Sequence, residues 1–306
     1  MRIVSYNVRY FGHGTRGIAS TEGGMRAIAG AVAKLDPLPD VLLLQEVETR
    51  SWRSNALHWG KRGEPQIDRF NRMLASDLAL KRKTLEHYVA YYFPAHVYGI
   101  RQSPLYTTGL AILVRRGLRV AHVDARDITF RDASLVPSLK QTRLCAHVRI
   151  VHPKKDDIDL FNTHLSLPSA FAKHFWTEPE RMGFGRNQLA EAHEIVEFIK
   201  DARKSDRFLL AGDFNASPGS PVYGFLKDKG LGDAFATHRR LSEEELKAFP
   251  TAGFMNLRMH LDHMFSGPGL AWRDFADTSP FGERKSLFDG LSDHVPMVGT
   301  FEPDTR

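Results

Sequence analysis

Four short polar clusters in this chain each border an apolar run. Gln45-Glu46 follows residues 41–44, Asn162-Thr163-His164 follows 158–161, Gly212-Asp213-Phe214-Asn215 follows 208–211, and Ser292-Asp293-His294 precedes 295–301. Asn7 stands at the end of a fifth apolar run, residues 2–6. Strands ending in this way bring carboxylates, amides and imidazoles to one edge, the place where open α/β sheets bind their ligands. That donor set suits a hard metal ion and a phosphoester.

Each cluster also has a plainer reading. Glu46 could be a solvated strand end. Asp213 and Asn215 are alternate residues and project to one side if the chain stays extended, but Pro218, Gly219 and Pro221 just downstream also fit an Asx turn. His164 could be a satisfied surface histidine, and Asp293-His294 a helix cap or a loop pair. Asp262 is an acid inside the apolar run 261–265 and needs a partner there. A histidine needs an orienting carboxylate to transfer protons reliably, and Asp262 is a candidate for that role.

The elements that must position these groups alternate along the chain. Strands are expected at 2–8, 41–45, 88–93, 110–115, 118–124, 144–151, 159–163, 208–211, 261–266 and 295–301. Helical spacing marks 24–35, with Ile28, Ala31, Val32 and Leu35 on one face, and 67–85, with Phe70, Leu74, Leu78 and Leu85. A further long helix is expected at 187–203. The strands are too many and too closely spaced for one doubly wound sheet. The pattern predicts a four-layer α/β sandwich, two packed mixed β-sheets flanked by helices, in one domain over 1–306.

Composition sets outer limits. The chain has 306 residues, 42% hydrophobic and 25% charged, which is ordinary for a globular protein with a sizeable core. The single Cys145 allows no intramolecular disulfide and no zinc–thiolate cluster, and it sits where a small core residue belongs. No basic-then-apolar leader opens the sequence and no run of about eighteen apolar residues interrupts it, so a cytoplasmic location is expected. A formal charge of +6 favours polyanionic partners such as nucleic acid or anionic lipid.

Taken in order, Ser5-Tyr6-Asn7-Val8, Leu44-Gln45-Glu46, Asn162-Thr163-His164-Leu165, Gly212-Asp213-Phe214-Asn215, Leu261-Asp262-His263 and Ser292-Asp293-His294 resemble the motifs of the endonuclease/exonuclease/phosphatase superfamily. The resemblance runs from residue 3 to residue 301. It implies metal-assisted hydrolysis of a phosphodiester by in-line attack of water. Glu46 resembles the principal Mg²⁺ ligand, with Asn7 beside it and Asp293 contributing to metal or water binding; Mn²⁺ takes the same oxygen-rich ligands. Asp213 and Asn215 resemble the pair that holds the attacking water and the phosphate. Asp262 looks like the carboxylate that orients His294, which would act as general base or as phosphate-stabilising cation. His164 matches the histidine of the pancreatic deoxyribonuclease and sphingomyelinase branches.

The resemblance points to nucleic acid as substrate. Asn7-Val8-Arg9-Tyr10-Phe11-Gly12 looks like the stretch in pancreatic-type deoxyribonucleases whose arginine, here Arg9, faces the nucleic-acid backbone. Where those nucleases place a carboxylate to orient the first histidine, this chain has Thr107-Thr108. Residues 166–185 carry Phe171, Phe175, Trp176, Met182 and Phe184, which could stack on bases, enter a lipid headgroup layer, or simply pack the loop down. A phospholipid headgroup, as in a sphingomyelinase-like phospholipase C, or a small phosphoester are therefore the alternatives. A non-catalytic binding module is a distant third, and a monomer is expected.

Overall fold

The computed structural model describes residues 1–15, 21–48, 65–100, 103–130, 142–151, 157–168, 181–254, 256–278 and 286–303. In chain order the first strands are β1 Arg2–Asn7, β2 Val41–Val47, β3 Tyr88–Ile100, β4 Ser103–Arg115, β5 Val120–Asp127, β6 Leu144–Ile150 and β7 Ile158–His164. The remainder are β8 Phe208–Asp213, β9 Gly232–Asp233, β10 Ala252–Phe254, β11 Leu257–Met259, β12 Asp262–Ser266, β13 Leu270–Phe275 and β14 Met297–Pro303. The helices are α1 Glu22–Val32, α2 Gln66–Arg82, α3 Arg186–Ala202, α4 Pro221–Asp228, α5 Ala234–Arg239 and α6 Glu243–Leu246.

Two six-stranded sheets result, in the orders β13-β14-β1-β2-β4-β3 and β5-β6-β7-β8-β12-β9, with β10-β11 as a separate hairpin. Both are mixed: β1 pairs parallel with β2, and β7 with β8, among otherwise antiparallel neighbours. The layers follow from strand alternation. Val41 and Leu43 face the core between the sheets, together with Ile112, Val148, Leu160, Leu209 and Met264. Leu42 and Leu44 face the opposite way, onto Ile28 of α1 and Phe70 and Leu74 of α2. On the other sheet Phe161 and Leu210 turn outward onto Ile195 and Phe198 of α3 and Val222 of α4. A strand buried on both faces favours apolar residues at nearly every position, which is why these segments read as near-continuous runs rather than alternating ones. The architecture is the four-layer α/β sandwich expected from the sequence.

Several boundaries differ from expectation. Helix α2 stops at Arg82 because Lys83 adopts a left-handed C-cap at φ 52°, so Leu85 leaves the apolar face and is 89% exposed. Strands β3 and β4 extend well beyond the apolar segments 88–93 and 110–115 that predict them. The segment opened by Pro218, Gly219 and Pro221 continues into helix α4, with Ser220 as N-cap and Pro221 in the first turn.

One polar link crosses the apolar core between the sheets. The Gln45 Nε2 amide donates to Asn162 Oδ1 at 2.7 Å, and the Asn162 Nδ2 amide donates to the Leu44 and Ala111 carbonyls at 3.0 and 3.2 Å. All of it is buried, so the bonds form in a low dielectric and are costly to leave unmade. Asn162→Leu is expected to lower unfolding stability by about 1–3 kcal/mol. The readout is a fall in the urea midpoint at unchanged m-value.

Candidate phosphoester site

The register of the parallel pairs brings the polar clusters to one edge. Asn7 is aligned with Gln45 across β1–β2, and His164 with Asp213 across β7–β8. Antiparallel pairing of β12 with β8 sets Asp262 opposite Asp213. The sandwich then stacks the two edges, and residues from far apart in sequence become neighbours.

Local irregularities finish the placement. A break in register between Leu44 and Val47 interrupts the β2–β4 ladder, and Glu46 within it has φ 53°. Such a bulge re-aims a side chain that plain alternation would send elsewhere. Gly212 has φ 151°, and a Cβ there would lie 2.0 Å from the Thr163 carbonyl oxygen, so only glycine lets β8 approach β7 beside His164. Arg9, Tyr10 and Phe11 follow Asn7 with φ of 43°, 56° and 55°, three consecutive left-handed residues. Backbone strain of this kind is concentrated at functional sites. The loop 292–295 is pinned at three points: Ser292 Oγ donates to the Asn7 carbonyl at 2.8 Å, Gly253 N to the Asp293 carbonyl at 2.8 Å, and Val295 N to the Thr251 carbonyl at 2.8 Å.

Eight of the side chains singled out from sequence meet here. Asn7 Nδ2 lies 3.2 Å from Glu46 Oε1 and 3.0 Å from Asp213 Oδ2, so one amide bridges two carboxylates. His164 Nε2 is 3.4 Å from Asp213 Oδ2 and 3.9 Å from Glu46 Oε1. From the other side His294 Nε2 is 3.7 Å from the same Asp213 oxygen, and its Nδ1 meets Asp262 Oδ2 at 2.8 Å. Asp293 Oδ2 forms an ion pair of 2.8 Å with Arg9 Nη1 at the partly exposed rim.

Asn215 is placed differently. The strand ends at Asp213, whose Oδ1 accepts from the Asn215 backbone N–H at 2.9 Å, and Asn215 turns left-handed at φ 47°. The two residues thus form an Asx turn, with the Asn215 Nδ2 donating to the Leu165 carbonyl at 3.0 Å.

Burial and crowding of charge set the protonation states. Burial pushes the Asp213 carboxyl up to about 7; His294 opposes the rise and Asp262 adds to it. Burial likewise raises Glu46, reinforced by Asp293 and partly offset by His294 and Asn7. The two histidines move apart. Burial alone would lower His294, but Asp262, Asp213 and Asp293 together raise it well above an ordinary imidazole, so it is a cation at neutral pH. His164 is held well below the ordinary value by burial, then by Arg143 and His294, and is neutral.

Some supporting residues carry no sequence signal of their own. Arg143, just before β6, is buried, and its charge reaches both Glu46 and His164. The Thr251 hydroxyl accepts from the Leu261 and Asp262 backbone N–H groups at 3.0 and 2.9 Å and so fixes the start of β12. Thr108, of the Thr107-Thr108 pair noted as a departure from the pancreatic-type nucleases, is buried in β4. Of the aromatic segment, Met182 is buried against Ala252, Met259 and Leu261, while Phe184 is 56% exposed. Phe171, Phe175 and Trp176 lie outside the described residues.

A buried carboxylate, Asp213, and a partly exposed one, Glu46, share one amide donor, and with the further acids around them they form an oxygen-rich set that a divalent cation would relieve of mutual repulsion. The residues present therefore fit such an ion. One ligand atom each of Asp213, Asp262 and His294 also lie within 4.8 Å of one another.

Comparison with known proteins decides the family. The family model described as "Endonuclease/Exonuclease/phosphatase family" matches residues 4–294. The chain belongs to the endonuclease/exonuclease/phosphatase family. Members of this family hydrolyse phosphoester bonds, typically with a divalent metal. No curated protein sequence is a significant match. Among solved structures, the human Nocturnin catalytic domain with bound sulfate has a TM-score of 0.64 at 17% identity, covering 99% of this chain and 93% of that one. A family protein from Leptotrichia buccalis has a TM-score of 0.63 at 18% identity, covering 99% of both chains. ANGEL2, described as a 2′,3′-cyclic phosphatase, has a TM-score of 0.60 at 16% identity, covering 98% and 94%. These likenesses establish that this family member shares the fold of the three.

Proposed function

We propose that this protein is a Mg²⁺-dependent phosphodiesterase acting on nucleic acid. The reading rests chiefly on Asp213, a buried carboxylate flanked by a cationic and a neutral imidazole and tied through Asn7 to Glu46. Glu46 and Asn7 would hold the ion, with Mn²⁺ as a substitute, and Asp293 would assist from the rim. Mg²⁺ bound there supplies charge neutralisation on the phosphoryl oxygens.

The protein's own groups account for the rest. Asp213, with a carboxyl near 7, is matched to accept a proton from water close to neutral pH. His294, held as a cation by Asp262, stabilises negative charge developing on the phosphoryl group. Neutral His164, on the side of Asp213 opposite His294, would donate a hydrogen bond to the phosphate or leaving group. Asn215 holds the turn that aims Asp213. Arg9 stands at the rim beside Asp293, where a nucleic-acid backbone would pass, and the net charge of +6 favours such a polyanion.

The test is one assay in Mg²⁺ on plasmid, single-stranded DNA, RNA, sphingomyelin and bis-p-nitrophenyl phosphate. Cleavage of nucleic acid that stops on adding EDTA is the expected result. Hydrolysis of sphingomyelin or of the small ester alone would replace the nuclease reading with a phospholipase C or phosphatase. Activity untouched by EDTA would remove the metal assignment.

A further inference from the structure

A second cluster of metal-binding side chains lies in the helix-covered outer core of the β8–β12 sheet, outside the phosphoester site. His263 follows Asp262 in β12, and strand alternation turns it to the other face of the sheet. There its ring packs against Phe214, Tyr223 and Phe265. His260 is its neighbour, with ring centroids 4.9 Å apart, and Asp233 reaches in from the start of α5. One ligand atom from each of Asp233, His260 and His263 lie within 4.8 Å of one another, and all three residues are buried.

The hydrogen bonds fix where the lone pairs point. His260 Nδ1 lies 2.5 Å from the Phe249 carbonyl, which can only accept, so Nδ1 carries the proton. Its Nε2 is then a bare lone pair in a residue only 2% exposed, with no partner. His263 Nε2 donates to the Ala216 carbonyl at 2.8 Å, which leaves the neutral ring's Nδ1 lone pair 3.2 Å from Asp233 Oδ2, another acceptor. The second Asp233 oxygen is already engaged by the Ala236 N–H at 2.9 Å. A proton on His263 Nδ1 would explain the contact with Asp233. It would still leave His260 Nε2 buried and unpaired, which is costly.

We propose that Asp233, His260 and His263 bind a transition-metal ion of the zinc type. Two imidazoles and a carboxylate are a zinc donor set, and ligands at about 2.0–2.1 Å from a tetrahedral ion sit about 3.3 Å apart, close to the His263–Asp233 spacing. Both rings already have what ligating histidines characteristically have, a carbonyl holding the other nitrogen. A cavity of about 500 Å³ lined by Asp233, Tyr223, Lys227 and Arg240 opens on the Asp233 side of the cluster. The ion would tie β9 and the start of α5 to β12, the strand that carries Asp262. It is independent of the phosphoesterase reading, because that site is rich in oxygen donors and this one in nitrogen.

The full-length protein, loaded with Zn²⁺ and passed over chelating resin, is expected to retain one zinc per chain by mass spectrometry. The Glu46→Gln/Asp213→Asn double variant should retain it too. His260→Gln should lose at least about a hundredfold in Zn²⁺ affinity. Loading the wild-type protein with Co²⁺ should give the intense visible bands of a tetrahedral site, a readout that needs no variant to fold. Absence of those bands, or zinc kept by His260→Gln and lost from the double variant, overturns the proposal.

Discussion

Asp213→Asn is expected to lower kcat by about three orders of magnitude while the protein stays folded. Asparagine has the same shape, and its Oδ1 can still accept the Asn215 N–H that closes the turn. What disappears is the anion that Asn7, His164 and His294 all face. A metal-dependent phosphodiester assay beside a circular-dichroism melt measures both parts. A kcat within tenfold of wild type would remove Asp213 from the chemistry. The same carboxyl gives a pH prediction with a definite sign. Burial raises Glu46, the proposed ligand, so the ion competes with its proton; Asp213 beside it, pushed up to about 7, also loses its negative charge below neutrality and attracts the ion less. Apparent Mg²⁺ affinity should therefore fall as pH drops from about 8 to about 6, with proton release on binding measurable by calorimetry in two buffers.

Loss of the second imidazole should cost almost as much. His294→Ala is expected to reduce kcat by about 10²–10⁴-fold, the range for removing a positioned charge or proton donor. Asp262→Asn separates charge from packing. It keeps an acceptor 2.8 Å from His294 Nδ1 but removes the leading carboxylate that raises the imidazole. As a cation, His294 is active below its pKa and inactive above it. Asp262→Asn should thus move the basic limb of the kcat profile to lower pH, in addition to lowering kcat by about a hundredfold. An unshifted limb would mean that Asp262 only holds the ring in place.

The sequence was most informative where burial leaves few choices. A strand covered on both faces is largely apolar, so 41–44, 208–211 and 158–161, interrupted only by Asp159, stood out, and with them the polar residues at their ends. The short helices α4, α5 and α6 were illegible because four to eight residues give too little periodicity against a background of turn residues. The long strands β3 and β4 were cut short for a related reason: Pro94, Gly99, Pro104 and Gly109 punctuate the paired stretch and read as turn signals in sequence.

The sequence by itself determined which chemical groups were available: the hard donors Glu46, Asp213 and Asp293, the amide Asn7, the pair Asp262 and His294, and His164. It could not determine their charges. Only the tertiary structure makes His294 a cation and His164 neutral, because a pKa depends on which carboxylates lie within a few ångströms and how much water remains. It also separates adjacent residues, turning Asp262 toward the phosphoester site and His263 toward a different cluster. Spacing in sequence carries residue identity and strand face; proximity across two sheets, from Asn7 to Asp213 or Gln45 to Asn162, exists only once the sandwich has closed.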